Sequence, residues 1–350
     1  MSLKRNILFT IPNFKTAGSQ YVMLAILRSL PKDRFEVFVG VASFPELIPD
    51  DIPFANRIQI SFKDSLVGSI ISFRKIIRQH NIHIVHSWDY KSSYTEALAC
   101  FFSSATYLYT KKNNAWSKRW LLKSILSKHI VYDNPCMKER FFSGFFLNRK
   151  TAFIPHGVDV TVFKPALKKA TGIFKICCVG NINENKNQLY ILQAMTKLPE
   201  EVQLHLYGRE DSEYKSLLEV FIAENKLEDR VFFYGYVSNT ELPKVLSHHH
   251  AFVLASKNEG FPVCLLEAMA CGLPVLSSDS GGGASYLLEN NKGGFVFELN
   301  DGSELIEYLS RLIKDTDLYL EMSKAAVENV NGRFSLEKET LSYENLYLRL

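Results

Sequence analysis

Short apolar runs alternate with segments of helical periodicity along the whole chain. In the first half, NILFTI (6–11), FEVFVGVA (35–42), IHIVHS (82–87), ATYLYT (105–110), HIVYD (129–133) and AFIP (152–155) read as strands. In the second half the same pattern returns at FKICCVG (174–180), VQLHLYG (202–208), VFFYG (231–235), AFVLAS (251–256) and PVLSS (274–278). Between them lie helical stretches such as SQYVMLAILRSL (19–30) and VGSIISFRKIIRQH (67–80). Runs that are apolar throughout, rather than alternating, suit strands covered on both faces, and strands alternating with helices suit parallel sheets. The pattern therefore predicts an α/β protein with doubly wound sheets. The Gly- and Pro-containing segment 154–172, IPHGVDVTVFKPALKKATG, is the best linker candidate, and the C-terminal part from Ser303 onward is helical by pattern.

A chain of 350 residues has room for two domains of ordinary size. Its charge is unevenly spread: residues 1–165 hold 23 Lys and Arg against 11 Asp and Glu, whereas 166–350 hold 18 against 26. A basic half points to an anionic partner such as a phospholipid surface, a lipid-linked diphosphate or an acidic glycan, or else to attraction between the halves. No apolar run is long enough to span a membrane, and MSLKRNILFTIP reads as a leader into the first strand, not a signal peptide. The six cysteines lack metal-type spacing and mostly sit in apolar segments, so buried free thiols in a reducing, cytoplasmic compartment are expected. His248, His249 and His250 are consecutive and cannot all face one ion, so no metal site is expected there. A dinucleotide fingerprint and a P-loop are both absent, which disfavours a dehydrogenase and a P-loop NTPase; no nucleic-acid partner is expected.

The segment from Ser256 to Gly283, SKNEGFPVCLLEAMACGLPVLSSDSGGG, is the richest in chemistry. Pro262 suits the first turn of a helix formed by VCLLEAMAC, which Gly272 and Pro274 stop. A second buried strand runs into SGGG and a further short helix. Two helix N-termini at one edge make an anion site, because their first N–H groups lack partners. Glu259 in the loop can accept hydrogen bonds from sugar hydroxyls, and Glu267, about one turn into the helix, can hold a ribose diol. Spacing alone leaves open that both glutamates face solvent. Lys186, in the polar loop between FKICCVG and QLYILQAM, can reach a diphosphate as a point charge, although a loop lysine is most often merely solvated. Gly18 lies in the loop that ends the first strand; an ordinary turn explains it nearly as well.

Taken in order, EGFP, LLEAMACGLPV and the triple glycine resemble the donor-site signature of glycosyltransferase family 4, and the likeness extends over almost the entire chain. The resemblance implies the GT-B fold: two Rossmann-like domains and a central cleft. It places an acceptor-binding domain at 1–165, a nucleotide-sugar-binding domain at 166–334 and a terminal helix, 335–350, that crosses back to the first. It further implies sugar transfer with retention, independence of metal, and a nucleotide-sugar donor, most often a UDP-sugar. Lys186 and Glu259 then stand at the chemistry. Gly260, Phe261, Val263, Cys264 and Leu265 offer backbone N–H groups to the diphosphate, Glu267 holds the ribose, and Val237 contacts the base. Gly18 lies near donor phosphate and acceptor. The expected setting is a glycan or lipid-linked acceptor in cell-surface polysaccharide synthesis.

Three positions depart from the family pattern. Asn181 replaces the arginine of the phosphate clamp, Lys112 stands where a histidine approaches the reacting sugar, and Ser285 replaces a glutamate. His156 also stands where the family usually has asparagine. A non-catalytic nucleotide- or glycan-binding scaffold, or another GT-B enzyme such as an epimerase or phosphorylase, remains the alternative. Finally, SKRWLLKSILSKH (117–129) combines Lys118, Arg119, Lys123 and Lys128 with Trp120 and leucines. This suits a basic amphipathic helix at the inner face of a membrane, or a helix packed on its own sheet with solvated lysines.

Overall fold

The computed structural model describes residues 4–12, 18–42, 56–62, 65–88, 93–166, 172–300 and 302–350. The chain divides into two compact units: residues 1–156 with 336–350, and residues 157–335. In the first unit the strands are β1 (Arg5–Thr10), β2 (Phe35–Val41), β3 (Arg57–Gln59), β4 (Ile84–Ser87), β5 (Thr106–Lys111), β6 (His129–Tyr132) and β7 (Thr151–Phe153). They form one sheet in the order β3-β2-β1-β4-β5-β6-β7. The second unit has β8 (Phe174–Val179), β9 (Val202–Tyr207), β10 (Val231–Phe233), β11 (Ala251–Leu254), β12 (Val275–Ser278) and β13 (Gly294–Phe297), ordered β10-β9-β8-β11-β12-β13. Every strand pair is parallel among the described residues. All predicted strands are present. The edge strand β13 and the three-residue β3 were not predicted.

Both sheets are doubly wound. In each, the strand order reverses beside the first strand, between β1 and β4 and between β8 and β11, which is where ligands of such sheets bind. The apolar runs are explained by burial on both faces. In the second unit Ile176, Leu204, Val253 and Leu276 pack on one face, while Cys177, Phe252, Leu254 and Val275 pack on the other. Neighbouring residues of one strand thus serve two cores, and truncating Ile176 to Ala is worth about 2–5 kcal/mol.

Residues 157–165 fall with the second unit: Phe163 is buried in its core, and Val158 bridges Ser335. The last helix, Leu336–Arg349, completes the first unit. Its Tyr347 hydroxyl lies 2.6 Å from His86 Nδ1, and His86 Nε2 lies 2.8 Å from Thr110 Oγ1. Burial keeps the His86 ring well below its usual basicity, with Lys112 adding to that effect.

Three expectations need correction. The helix Lys118–Leu126 turns Trp120 and Lys123 inward, where only 3% of Trp120 remains exposed, so neither residue faces a membrane. The Lys123 ammonium lies 4.9 Å from the Tyr109 ring and 5.0 Å from Trp120, a setting that satisfies a buried cation through the ring faces. Pro262 precedes its helix rather than occupying the first turn, because its ψ of 87° is not helical. Cys136 is exposed, while the other cysteines are buried or half-buried free thiols.

Candidate functional site

The carboxyl end of β8 is built on glycines. Gly180 and Gly208 have φ of 154° and 156°, and a Cβ at Gly208 would stand 1.8 Å from the Gly180 carbonyl oxygen. Only glycine lets β8 and β9 approach so closely. The loop after Gly180 then folds back on itself. The Lys186 N–H donates to Asn183 Oδ1 at 3.0 Å, and Asn187 takes a left-handed conformation with φ 54° before the helix Gln188–Met195. A Cβ at Gly180 would meet Lys186 Cε at 3.3 Å, so the lysine stem lies across the glycine.

The loop after β11 is tied to this one. Lys257 N–H donates to Asn185 O at 2.8 Å, Asn185 Nδ2 donates to Asn258 O at 3.1 Å, and Lys257 pairs with Glu184 at 2.8 Å. The two loops flank the switch point of the sheet. Across it, Lys186 Nζ reaches Glu259 Oε1 at 2.5 Å, with both side chains about four-fifths buried. Burial works against the ammonium, but the Glu259 carboxylate outweighs it and holds the lysine above its ordinary pKa. Glu259 N–H donates to Ser280 O at 3.0 Å, joining the loop after β12 to the same edge. Gly283 makes this possible, because a Cβ there would come within 2.5 Å of the Gly260 carbonyl oxygen.

The helix Val263–Ala270 starts at this edge. The Val263 and Cys264 N–H groups have no acceptor among the described residues, as expected for a first turn. The Leu265 N–H is already turned onto Pro262 O at 3.0 Å, which removes it from the donors expected for phosphate. Glu267 sits half-buried on the helix, and no donor reaches its carboxylate among the described residues. Burial pushes its pKa up to about 8. The Cys264 thiol lies within electrostatic reach of Lys186, Glu259 and Glu267; burial raises it to about 12, with Lys186 pulling the other way. The structure thus assembles Lys186, Glu259, Cys264 and Glu267 at one edge, with Gly260 and Phe261 in the connecting loop.

Other predicted residues lie farther from this cluster or in the other unit. Asn181 is exposed beside Gly180, and its carbonyl accepts from Gln188 Nε2 at 3.0 Å. Val237 packs against the core behind the loop after β10. Ser285 is exposed on the short helix Gly283–Leu287. In the first unit, Gly18 is exposed and opens the helix Gly18–Ser29; residues 13–17 of its loop lie outside the described residues. Lys112 is half-buried, donates to the Trp88 carbonyl oxygen at 2.5 Å and lies 4.6 Å from the Trp88 ring. The rings of the three consecutive histidines each serve a different partner: His248 the Lys244 carbonyl, His249 the Val245 carbonyl and His250 the Lys175 N–H.

Sequence reasoning missed a buried charge cluster in the first unit. His156 Nε2 lies 3.2 Å from Asp133, and its Nδ1 lies 3.0 Å from Glu339 on the last helix. Burial disfavours the imidazolium, yet hydrogen bonds to Asp133 and Glu339 raise its pKa to about 9. Nearby, Lys111 is buried 4.2 Å from the Trp120 ring and bonded to Asn113; burial lowers it to about 7, against the pull of Asp133. The sequence signal was His156 itself, which stands where the resembled family usually has asparagine.

Comparison with known proteins adds the following. The sequence profile of Glycosyl transferases group 1 matches residues 159–329, and that of Glycosyltransferase Family 4 matches residues 16–162. The chain is 25% identical over 375 aligned positions to the UDP-Gal:alpha-D-GlcNAc-diphosphoundecaprenol alpha-1,3-galactosyltransferase of Escherichia coli, covering 95% of this chain and 94% of that protein. It is 27% identical over 267 positions to the lipopolysaccharide core biosynthesis mannosyltransferase LpcC of Rhizobium leguminosarum bv. viciae, covering 71% of each. Among solved structures, Anabaena Alr3699/HepE in complex with UDP superposes with a TM-score of 0.84 at 18% identity, covering 99% of this chain and 100% of that one.

Proposed function

The chain belongs to glycosyltransferase family 4 and has its GT-B fold, and from this we propose that it transfers a sugar from a UDP-sugar to a glycan or lipid-linked acceptor in cell-surface polysaccharide synthesis, with retention of configuration. The observation that carries the donor assignment is the Lys186–Glu259 pair beside the Val263 and Cys264 N–H groups and the Glu267 carboxylate, which have no partner among the described residues. A cation, two backbone donors and a lone carboxylate at a switch point match the parts of a nucleoside diphosphate sugar. The uridine base is supported by the UDP-Gal of the Escherichia coli relative and by the UDP bound to the Anabaena structure.

In the proposed reaction the diphosphate takes Lys186 and the N–H groups of Val263 and Cys264, while Glu267 accepts hydrogen bonds from the ribose diol. Lys186 then exchanges Glu259 for phosphate, and the released carboxylate orients the sugar hydroxyls. The bond from the anomeric carbon to the phosphate oxygen breaks. The acceptor oxygen attacks on the same face, and its proton passes to the departing diphosphate. Charge develops on that diphosphate where Lys186 and the helix N–H groups already point, so stabilisation needs no reorganisation. Thermal-shift and calorimetric titration with UDP and UDP-sugars tests the reading. Binding by the wild type, and binding weakened by about tenfold or more in Lys186→Ala and Glu267→Ala, are expected. Equal UDP affinity in all three proteins would overturn the assignment.

A further inference from the structure

We propose that the first unit docks on an anionic lipid bilayer through the outward face of the helix Lys118–Leu126 together with Phe145 and Phe146. With Trp120, Lys123 and Ser124 turned inward, the opposite face of this helix is left with Leu121, Leu122 and Ile125, all exposed. Next to it, Phe145 is 74% exposed and Phe146 is 61% exposed on the short helix Phe145–Asn148. Lys150 joins the two: its ammonium donates to the carbonyls of Ile125 at 2.7 Å and Ser127 at 3.0 Å, and lies 4.5 Å from the Phe146 ring. Arg149 lies 4.0 Å from the Phe145 ring. The leucine–isoleucine stripe and the two phenylalanines therefore belong to one continuous surface.

Charge selects the occupant. Residues 117–150 hold eight Lys and Arg against two acids; Lys123 and Asp133 are buried, which leaves seven cations against Glu139. Lys118, Arg119 and Lys128 are exposed beside the apolar stripe, and Arg149 and Lys150 border the phenylalanines. Apolar side chains ringed by cations fit the boundary between acyl chains and phosphate headgroups. There the rings enter the hydrocarbon, the long cationic side chains stay at the phosphates, and the surface attraction of anionic lipid adds to both. A protein partner would need an acidic rim around an apolar socket and makes no use of the solvent-directed cations that lipid phosphates neutralise. No helix among the described residues is long and apolar enough to cross a membrane, so the contact is one that lies on the surface.

The test is flotation of the purified full-length protein with vesicles of phosphatidylcholine alone and of phosphatidylcholine with 30% phosphatidylglycerol, at low and at 0.5 M salt. Binding to the anionic vesicles at low salt is expected, with at least tenfold less to the neutral vesicles and a marked decrease in high salt. Phe145→Glu with Phe146→Glu, and separately Leu121→Glu with Ile125→Glu, should each weaken anionic-vesicle binding at least tenfold while UDP still raises the melting temperature as in wild type. That control shows that the fold and the donor site are intact, so loss of lipid binding and failure of the donor reading are separate results. Absence of anionic-vesicle binding at low salt overturns the proposal, as does unchanged binding in both double variants. A concentration-dependent dimer abolished by the phenylalanine substitutions would also overturn it and assign the face to a second copy.

Discussion

Lys186 and Glu259 lie 73 positions apart in sequence and meet at 2.5 Å across the switch point of the second sheet. The pair neutralises its own charges in the donor-free protein. Removing Glu259 therefore has opposite effects on nucleotide and on sugar. Glu259→Ala should bind UDP about three- to tenfold more tightly, since no carboxylate competes for the lysine, while turnover of a UDP-sugar falls at least about a hundredfold. Lys186→Ala should lose about 10- to 100-fold in UDP affinity, the worth of a hydrogen bond to a charged group. Calorimetry and steady-state kinetics on the two variants separate these effects. Weaker UDP binding in Glu259→Ala would show that the pair is structural.

On the proposed role of Glu267, nucleotide binding should depend on pH. In the free protein its carboxyl titrates near 8, because burial disfavours the anion. Hydroxyls of a ribose diol stabilise the anion, so binding releases a proton at neutral pH. UDP affinity should rise between pH 6 and 8 by up to about tenfold per unit and flatten in Glu267→Gln. Stability runs the other way. The folded carboxyl is raised above its unfolded value of 4.5, so its cost is absent below that pH and grows as pH rises to about 8. Glu267→Gln should therefore gain on wild type between those limits by on the order of 2–4 kcal/mol, read from urea melts.

On the proposed reading, Asn181 leaves the diphosphate site with one cation fewer than the family pattern implies. Its side chain is exposed, and its backbone carbonyl accepts from Gln188. Asn181→Arg should leave the melting temperature unchanged and tighten UDP by about tenfold, or 1.4 kcal/mol, with little effect on UMP. Equal gains for UDP and UMP would place the new cation elsewhere.

The ion cluster of His156, Asp133 and Glu339 should dominate the alkaline behaviour of the first unit. The folded imidazolium titrates at about 9 against 6.5 unfolded, so its contribution is complete below 6.5 and is lost as pH rises to 9. The loss is on the order of 3 kcal/mol. His156→Ala strands two buried carboxylates and should cost about 3–5 kcal/mol at pH 6.5, less at pH 9. Denaturant titrations at the two pH values give the comparison.

The parts of this protein readable from sequence are those whose cause is local. FKICCVG and AFVLAS betray buried strands because each successive residue meets a core. The EGFP loop and its helix are readable because glycine, proline and the helix formers mark their own ends. Beyond that, partners are set by the fold. Nothing near Lys186 announces Glu259, and nothing near His156 announces Glu339. β3 and β13 are edge strands of three and four residues whose sequences carry little signal: two of the three residues of RIQ are polar, and GFVF opens on a glycine. Lys123 counted as a polar residue in the amphipathic reading, yet its ammonium is buried between Tyr109 and Trp120. A residue's polarity is thus no guide to its direction when aromatic faces are available.

The last helix has a consequence for synthesis. Tyr343 and Tyr347 are buried within the first unit, against Phe9, His86 and Trp88, all of which are made before residue 157. A ribosome delivers those tyrosines only after residues 157–335 have emerged. The second unit can close as soon as it leaves the exit tunnel, but the first waits, with His86 and the carboxyl ends of β4 and β5 uncovered, until residues 336–350 emerge as well. The unit begun first is the one completed last, and a chain cut after residue 335 would carry a finished second unit and an open first one.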